Sequence, residues 1–216
     1  MQLNKDIFDF LKLLKQNNNT EWFHNNKTIY VQVKSDFELF LNTLIAEISK
    51  FDTSIAHLSA KNCTFRINRD IRFSKDKSPY KTNFGAFINK RGKKTESAGY
   101  YLHLEPENCF VAGGWYMPLP EELSKIRQEI DYNAKQFSEI INNKSFKKNF
   151  KGFDDEMKLK NPPKGYDNTN EMIEYIKLKS FTVSNKIEDS NVSIINIAQQ
   201  FKSIFPLIQF LNNAIE

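Results

Sequence analysis

The run Phe65-Arg66-Ile67-Asn68-Arg69-Asp70-Ile71-Arg72-Phe73-Ser74-Lys75-Asp76-Lys77-Ser78-Pro79-Tyr80-Lys81-Thr82-Asn83 concentrates groups that could bind an anion. Arg66, Arg69, Arg72, Lys75, Lys77 and Lys81 supply charge, and Ser74, Ser78, Tyr80 and Thr82 supply neutral donors. A guanidinium is a rigid fork that matches phosphate or carboxylate, while an ammonium is a movable point charge. Such a set suits a small phosphorylated or carboxylated ligand. It is not a glycine-rich phosphate loop, because the run has no glycine and no Gly-Lys-Ser/Thr ending. Asp70 and Asp76 carry the competing reading, in which they pair with the arginines and leave a solvated basic loop. Pro79 gives the loop a fixed turn. Arg69 and Arg72, three apart where a strand gives way to a loop, are expected to form the anion-coordinating centre with Arg66. Lys90, Lys93 and Lys94 surround Gly92 and are expected on an exposed turn whose charges are screened.

A second group follows. Tyr101, His103 and Glu105 share one face of an alternating segment, so His103 is a candidate acid–base group with Glu105 or Tyr101 beside it. A lone histidine on a half-exposed strand is more often structural. Arg127 and Lys179 could each return a positive charge to the same site from later elements. Gly113-Gly114 reads equally as a tight bend or as close backbone approach to a ligand. No metal site is expected. His24 has Thr28 where a helical partner would stand, and Cys63 and Cys109 lie far apart and read as buried small residues. No nucleotide-cofactor motif appears, so the cofactor, if any, is unknown.

The elements that must position these groups read as α+β. Asp6 to Lys15 is amphipathic, and a longer helix is expected from an N-cap at Thr20 to about Lys50, with Val33, Phe37, Phe40, Leu41, Leu44, Ile45 and Ile48 on its apolar stripe. Strand period takes over at 64–68, 84–88, 98–105 and 109–115, with the last two joined through Pro106-Glu107-Asn108 as a hairpin. About four antiparallel strands in meander order, covered on one side by helices, are therefore expected. Helical periodicity resumes from Glu121 and ends in a helix from Val192 to Asn212, expected to bend or divide at Pro206. Residues 152–190 are the least regular. No repeat or linker argues against one domain over residues 1–216.

The 216 residues carry a net charge of +5, unevenly: residues 61–94 hold +9 and the remainder −4. A single-sign patch attracts anions through its summed field. With 40% hydrophobic residues, 19 of them Phe, the chain is built to bury an aromatic core. No run of residues is apolar enough to span a bilayer, and no leader-like apolar stretch follows Met1, so a cytoplasmic location is expected.

Together, the 65–83 run, Gly99-Tyr100-Tyr101-Leu102-His103-Leu104, Gly113-Gly114-Trp115, Pro162-Pro163-Lys164-Gly165-Tyr166, Trp22-Phe23 and Leu178-Lys179-Ser180-Phe181 resemble the domain-of-unknown-function family numbered 2461. The resemblance implies a domain of bacterial type and brings no catalytic residues to map. The favoured expectation is binding of, or catalysis on, a small anionic metabolite at the basic cluster. A less favoured one is single-stranded nucleic acid, held by the cations with Phe73, Tyr80, Tyr100 and Tyr101 as stacking groups. A third is an interaction scaffold that uses an exposed Trp115 or Phe clusters as its interface.

Overall fold

The computed structural model describes residues 1–93 and 96–215. Lys94 of the Gly92 turn lies outside the described residues. A four-stranded antiparallel sheet is formed by β1 (Phe84–Ile88), β2 (Gly99–Leu104), β3 (Phe110–Trp115) and β4 (Phe181–Lys186), in that spatial order. Period two gives it two unlike faces. On the inner face, Phe84, Ala86, Ile88, Tyr100, Leu102, Leu104, Val111, Trp115, Phe181 and Val183 are buried. Two long helices, α3 (Lys27–Ile48) and α9 (Ile194–Asn213), cover that face, and α1 (Asp6–Gln16) and the short α4 (Ala60–Cys63) pack on α3. Between β3 and β4 the chain runs through α5 (Pro120–Tyr132), α6 (Ala134–Asn142), α7 (Lys144–Asn149) and the short α8 (Ile173–Ile176).

Four sequence expectations change. The long N-terminal helix is two, α2 (Thr20–Asn25) and α3, interrupted at Asn26. The cap is Asn19, whose side chain accepts from the Trp22 amide at 2.9 Å and satisfies a free N–H of the first turn. Residues 64–68 form no strand. Thr64 and Asn68 make only isolated bridges, to Ala86 and Tyr80, and the fourth strand is β4, drawn from the stretch read as irregular. Finally, α9 is not divided at Pro206 and runs through it as one helix. Burial of Ile204, Leu207, Ile208 and Leu211 holds the helix together around the one amide that cannot donate.

Gly113 and Gly114 do not mark a bend, since both lie within β3 and pair with β2 and β4. A Cβ on Gly113 would stand 2.7 Å from Ile204 of α9, and Gly114, at φ +118°, has the Phe181 carbonyl where its Cβ would go. They let β3 lie close against α9 and β4. Trp115 is 2% exposed, so it offers no surface to an interaction scaffold.

The outer face carries the chemistry. Phe87, Tyr101, His103, Phe110, Ala112, Thr182 and Ser184 lie on it by register and parity. Both sheet edges are flanked rather than bare. Thr64 bridges β1, where Phe65 donates its amide to the Gly85 carbonyl at 3.1 Å, and Phe153 bridges β4. The two flanking segments form the walls of a trough across the sheet. No helix among the described residues is long and apolar enough to cross a membrane.

Candidate functional site

The basic loop leaves the edge of β1 as a constrained excursion. Arg69 and Pro79 are tied by a backbone hydrogen bond of 2.9 Å, Lys81 and Ile67 by one of 2.8 Å. Inside it, Asp76 accepts from the Ser78 amide and hydroxyl at 2.9 and 2.7 Å and pairs with Arg69. These bonds hold the Asp76 carboxyl far below the ordinary carboxylate range, the Ser78 contacts first and Arg69 after them. Arg72 makes a two-pronged contact with Asp70 at 3.0 and 2.7 Å, and Lys77 donates to the Ile71 carbonyl at 2.9 Å.

The expected centre therefore moves. Each fork faces its own carboxylate, Arg69 that of Asp76 and Arg72 that of Asp70. Arg72, Lys75 and Lys77 are exposed, and their charges are solvated or used to shape the loop. Arg127 is engaged away from the loop. Its guanidinium donates to the Ile176 and Leu178 carbonyls at 2.7 and 3.2 Å and pins α5 to the turn before β4. Lys179 lies at the β4 end of the trough, away from the loop. Lys93 is exposed and donates to the Thr64 carbonyl at 3.2 Å.

What the fold does bring together is a polar depression of about 420 Å³, lined by Lys15, Asn18, Arg69, Asp76, Ser78, Tyr80, Lys81, Thr82 and Asn83. Tyr80 is buried, stacked on Phe23 at 3.9 Å, and its main chain is clamped by Asn18. That clamp joins the end of α1 to the loop and brings Lys15 alongside. Lys81 is the notable cation. It is half-buried, lies 5.5 Å from the centroid of the Phe65 ring, and has no carboxylate within 4 Å among the described residues. Burial, and then the charge of Arg66, push its pKa down. Arg66 is likewise without a described ion-pair partner. Two adjacent cations repel each other, and an anion placed beside them relieves that repulsion.

Beside the depression lies a hydrogen-bonded chain. The Glu105 carboxylate accepts from Thr82 Oγ1 at 2.8 Å, from Asn108 Nδ2 at 3.1 Å, and from His103 Nε2 at 3.4 Å. An ionised carboxylate only accepts, so the Nε2–H tautomer is fixed and Nδ1 is an acceptor. Two donors reach it, the Tyr101 hydroxyl at 3.1 Å and Asn83 Nδ2 at 3.3 Å. Phe110 stacks on the imidazole at 4.6 Å. Burial lowers the His103 pKa and outweighs the opposing bond and charge of Glu105. At Glu105 burial pushes upward, but its hydrogen-bond donors prevail and the carboxyl falls below its ordinary value. Burial raises the Tyr101 phenol. At neutral pH the chain thus reads Glu105 carboxylate, neutral His103, Tyr101 hydroxyl. Gly85, across β1 from His103, makes room for it: a Cβ there would stand 3.0 Å from Tyr101 Oη.

Sequence reasoning placed Tyr101, His103 and Glu105 together and named Thr82 as a donor, but missed Lys15, Asn18, Asn83 and Gly85. Asn83 and Gly85 could have been found by extending the outer-face parity of β1 back by two steps. Lys15 and Asn18 could not, since only the Asn18–Tyr80 clamp brings them in. Among the described residues, no group of three or more His, Cys, Asp or Glu side chains could hold a metal ion.

A family model described as Conserved hypothetical protein (DUF2461) matches residues 6–213. Neither the curated proteins nor the solved structures contain a match to the chain.

Proposed function

The chain belongs to the DUF2461 family over nearly its whole length, and we propose that it binds a small phosphorylated or carboxylated metabolite at Lys81 and exchanges a proton with it through Tyr101, His103 and Glu105. The observation that carries this is the pairing of Lys81 with Arg66 beside the relay. Neither cation forms an ion pair within 4 Å among the described residues, while Thr82 and Asn83, which line the same depression as Lys81, bond to Glu105 and His103. Charges perturbed by burial and by a neighbouring charge cluster at functional sites, and Lys81 is such a group.

The proton step follows from the donor directions. Tyr101 Oη gives its proton to His103 Nδ1, and the same oxygen takes one from an acidic X–H of the ligand. The ligand then carries the negative charge of its conjugate base, and the imidazolium is balanced by Glu105. Lys81 and Arg66 stabilise the anionic groups of the ligand.

Calorimetric titration with inorganic phosphate and with citrate tests the binding claim. Lys81→Met should remove a charge-assisted contact worth about 1.5–3 kcal/mol, a loss of roughly 10- to 150-fold. Lys77→Met should change affinity little. Equal losses from the two variants would indicate a diffuse field and no site. The nucleic-acid reading retains one specific support, the 96% exposure of Phe73 beside Arg72. Binding of single-stranded DNA or RNA that depends on Phe73 and falls steeply with salt would favour it.

A further inference from the structure

The trough on the outer sheet face is a second feature, of about 820 Å³, within the range of small-molecule sites. It is separate from the polar depression but shares a boundary with it: Phe65 and Tyr101 line the trough, and Lys81 lies over the Phe65 ring. Its middle is floored by small residues, Ala112 and Gly114, with no side chain to obstruct a flat group. Aromatic rings stand around that floor, those of Phe65, Phe87, Tyr101, Phe110 and Tyr116. Tyr116 is exposed, so it remains available to a ligand instead of being consumed by the core.

The end toward β4 is polar and of mixed sign. Asp155, Glu156 and Lys179 line it, and their side chains make no hydrogen bond or ion pair among the described residues. Asp154, by contrast, is held by the Thr182 hydroxyl at 2.9 Å. Aromatic walls hold a planar ring of any kind. Free acceptors and a free donor at the ring edge select one bearing amino and carbonyl groups. Unpaired cations beyond Phe65, at the opposite end, select one that also carries an anion. A nucleobase joined through a sugar to a phosphate has all three features in this order.

We infer that the trough receives the base of a mononucleotide whose phosphate lies at Lys81 and Arg66. The inference rests on the anion site proposed above and names its ligand class. The base lies among the aromatic rings and directs its edge toward Asp155, Glu156 and Lys179. The sugar passes Tyr101, whose hydroxyl ends the proton relay.

The test is calorimetric titration of the whole chain with AMP, adenosine and inorganic phosphate, in the wild type, Tyr116→Ala and Lys81→Met. AMP should bind at least about tenfold tighter than phosphate. Tyr116→Ala should weaken AMP about tenfold, as expected for loss of a stacking partner, and leave phosphate unchanged. Lys81→Met should weaken both. If phosphate binds and AMP binds no tighter, the inference fails while the anion site stands; if neither binds, both fail. AMP binding that Tyr116→Ala leaves intact, or adenosine binding as tightly as AMP, would also overturn it. Tyr116 lies outside the core, so a folded variant is expected, and circular dichroism confirms it.

Discussion

Gly85→Ala should have opposite consequences depending on whether Tyr101 keeps its hydroxyl. Gly85 lies within β1 and its backbone is not in the left-handed region, so alanine fits the strand. Replacing a strand glycine by alanine gains roughly 0.5–1 kcal/mol from reduced freedom of the unfolded chain. Against that gain stands the new methyl, 3.0 Å from Tyr101 Oη; its other neighbours, Asn83 Nδ2 at 3.5 Å and Phe65 Cδ2 at 3.6 Å, are ordinary contacts. The hydroxyl must retreat by a few tenths of an ångström, and its 3.1 Å bond to His103 Nδ1 stretches out of range. That bond is worth about 0.5–1.5 kcal/mol net, so the substitution should be neutral or slightly destabilising in the wild type. With Tyr101→Phe the obstruction is gone and the full gain should appear. Urea denaturation at pH 7 of the four proteins of this double-mutant cycle measures the difference, expected at about 0.5–1.5 kcal/mol. An identical effect of Gly85→Ala in both backgrounds would refute the packing of the relay against β1.

Three other outcomes follow from the same geometry. Burial lowers the His103 pKa below its ordinary 6.5, so the unfolded chain binds more protons than the folded one just below that pH. Its contribution is complete above about pH 6.5 and is lost as pH falls toward the folded value; Glu105, also depressed, adds a second loss below about 4.5. Urea midpoints between pH 7.5 and 5.5 should fall more for the wild type than for His103→Gln, and parallel falls would contradict the buried neutral imidazole. Tyr100→Phe should cost about 1–3 kcal/mol in the same denaturation assay, because the Tyr100 hydroxyl donates at 2.9 Å to the buried Asp52 carboxylate. Asp76→Asn should leave the global unfolding midpoint nearly unchanged yet speed amide hydrogen exchange at Ser78, since Asp76 holds the basic loop in shape.

The strands and helices were legible where their periodicity was strong. The apolar stripe of α3 and the hairpin of β2 and β3 were readable from spacing alone, because each buries a regular subset of side chains. β4 was not. Its residues Thr182, Ser184 and Asn185 look like loop composition, and only pairing to β3 across the helices between them makes them a strand. The basic cluster was legible as a set of charges but not as a site. Composition cannot tell a guanidinium aimed at a ligand from one held by Asp70 or Asp76, and that difference moved the proposed centre from Arg69 and Arg72 to Lys81 and Arg66. Parity on β2 correctly brought Tyr101, His103 and Glu105 to one face. The partners that orient them, Asn83 and Thr82, come from before β1, and a cross-strand register is not contained in one strand's pattern.

The most direct test of Lys81 as the anion-binding cation is a crystal structure of the chain grown with phosphate or soaked in tungstate. An anion within hydrogen-bonding distance of Lys81 Nζ, inside the depression that Lys15 and Arg69 also line, is the predicted result. Anion density confined to Arg72, Lys75 and Lys77, with none at Lys81, would contradict the account.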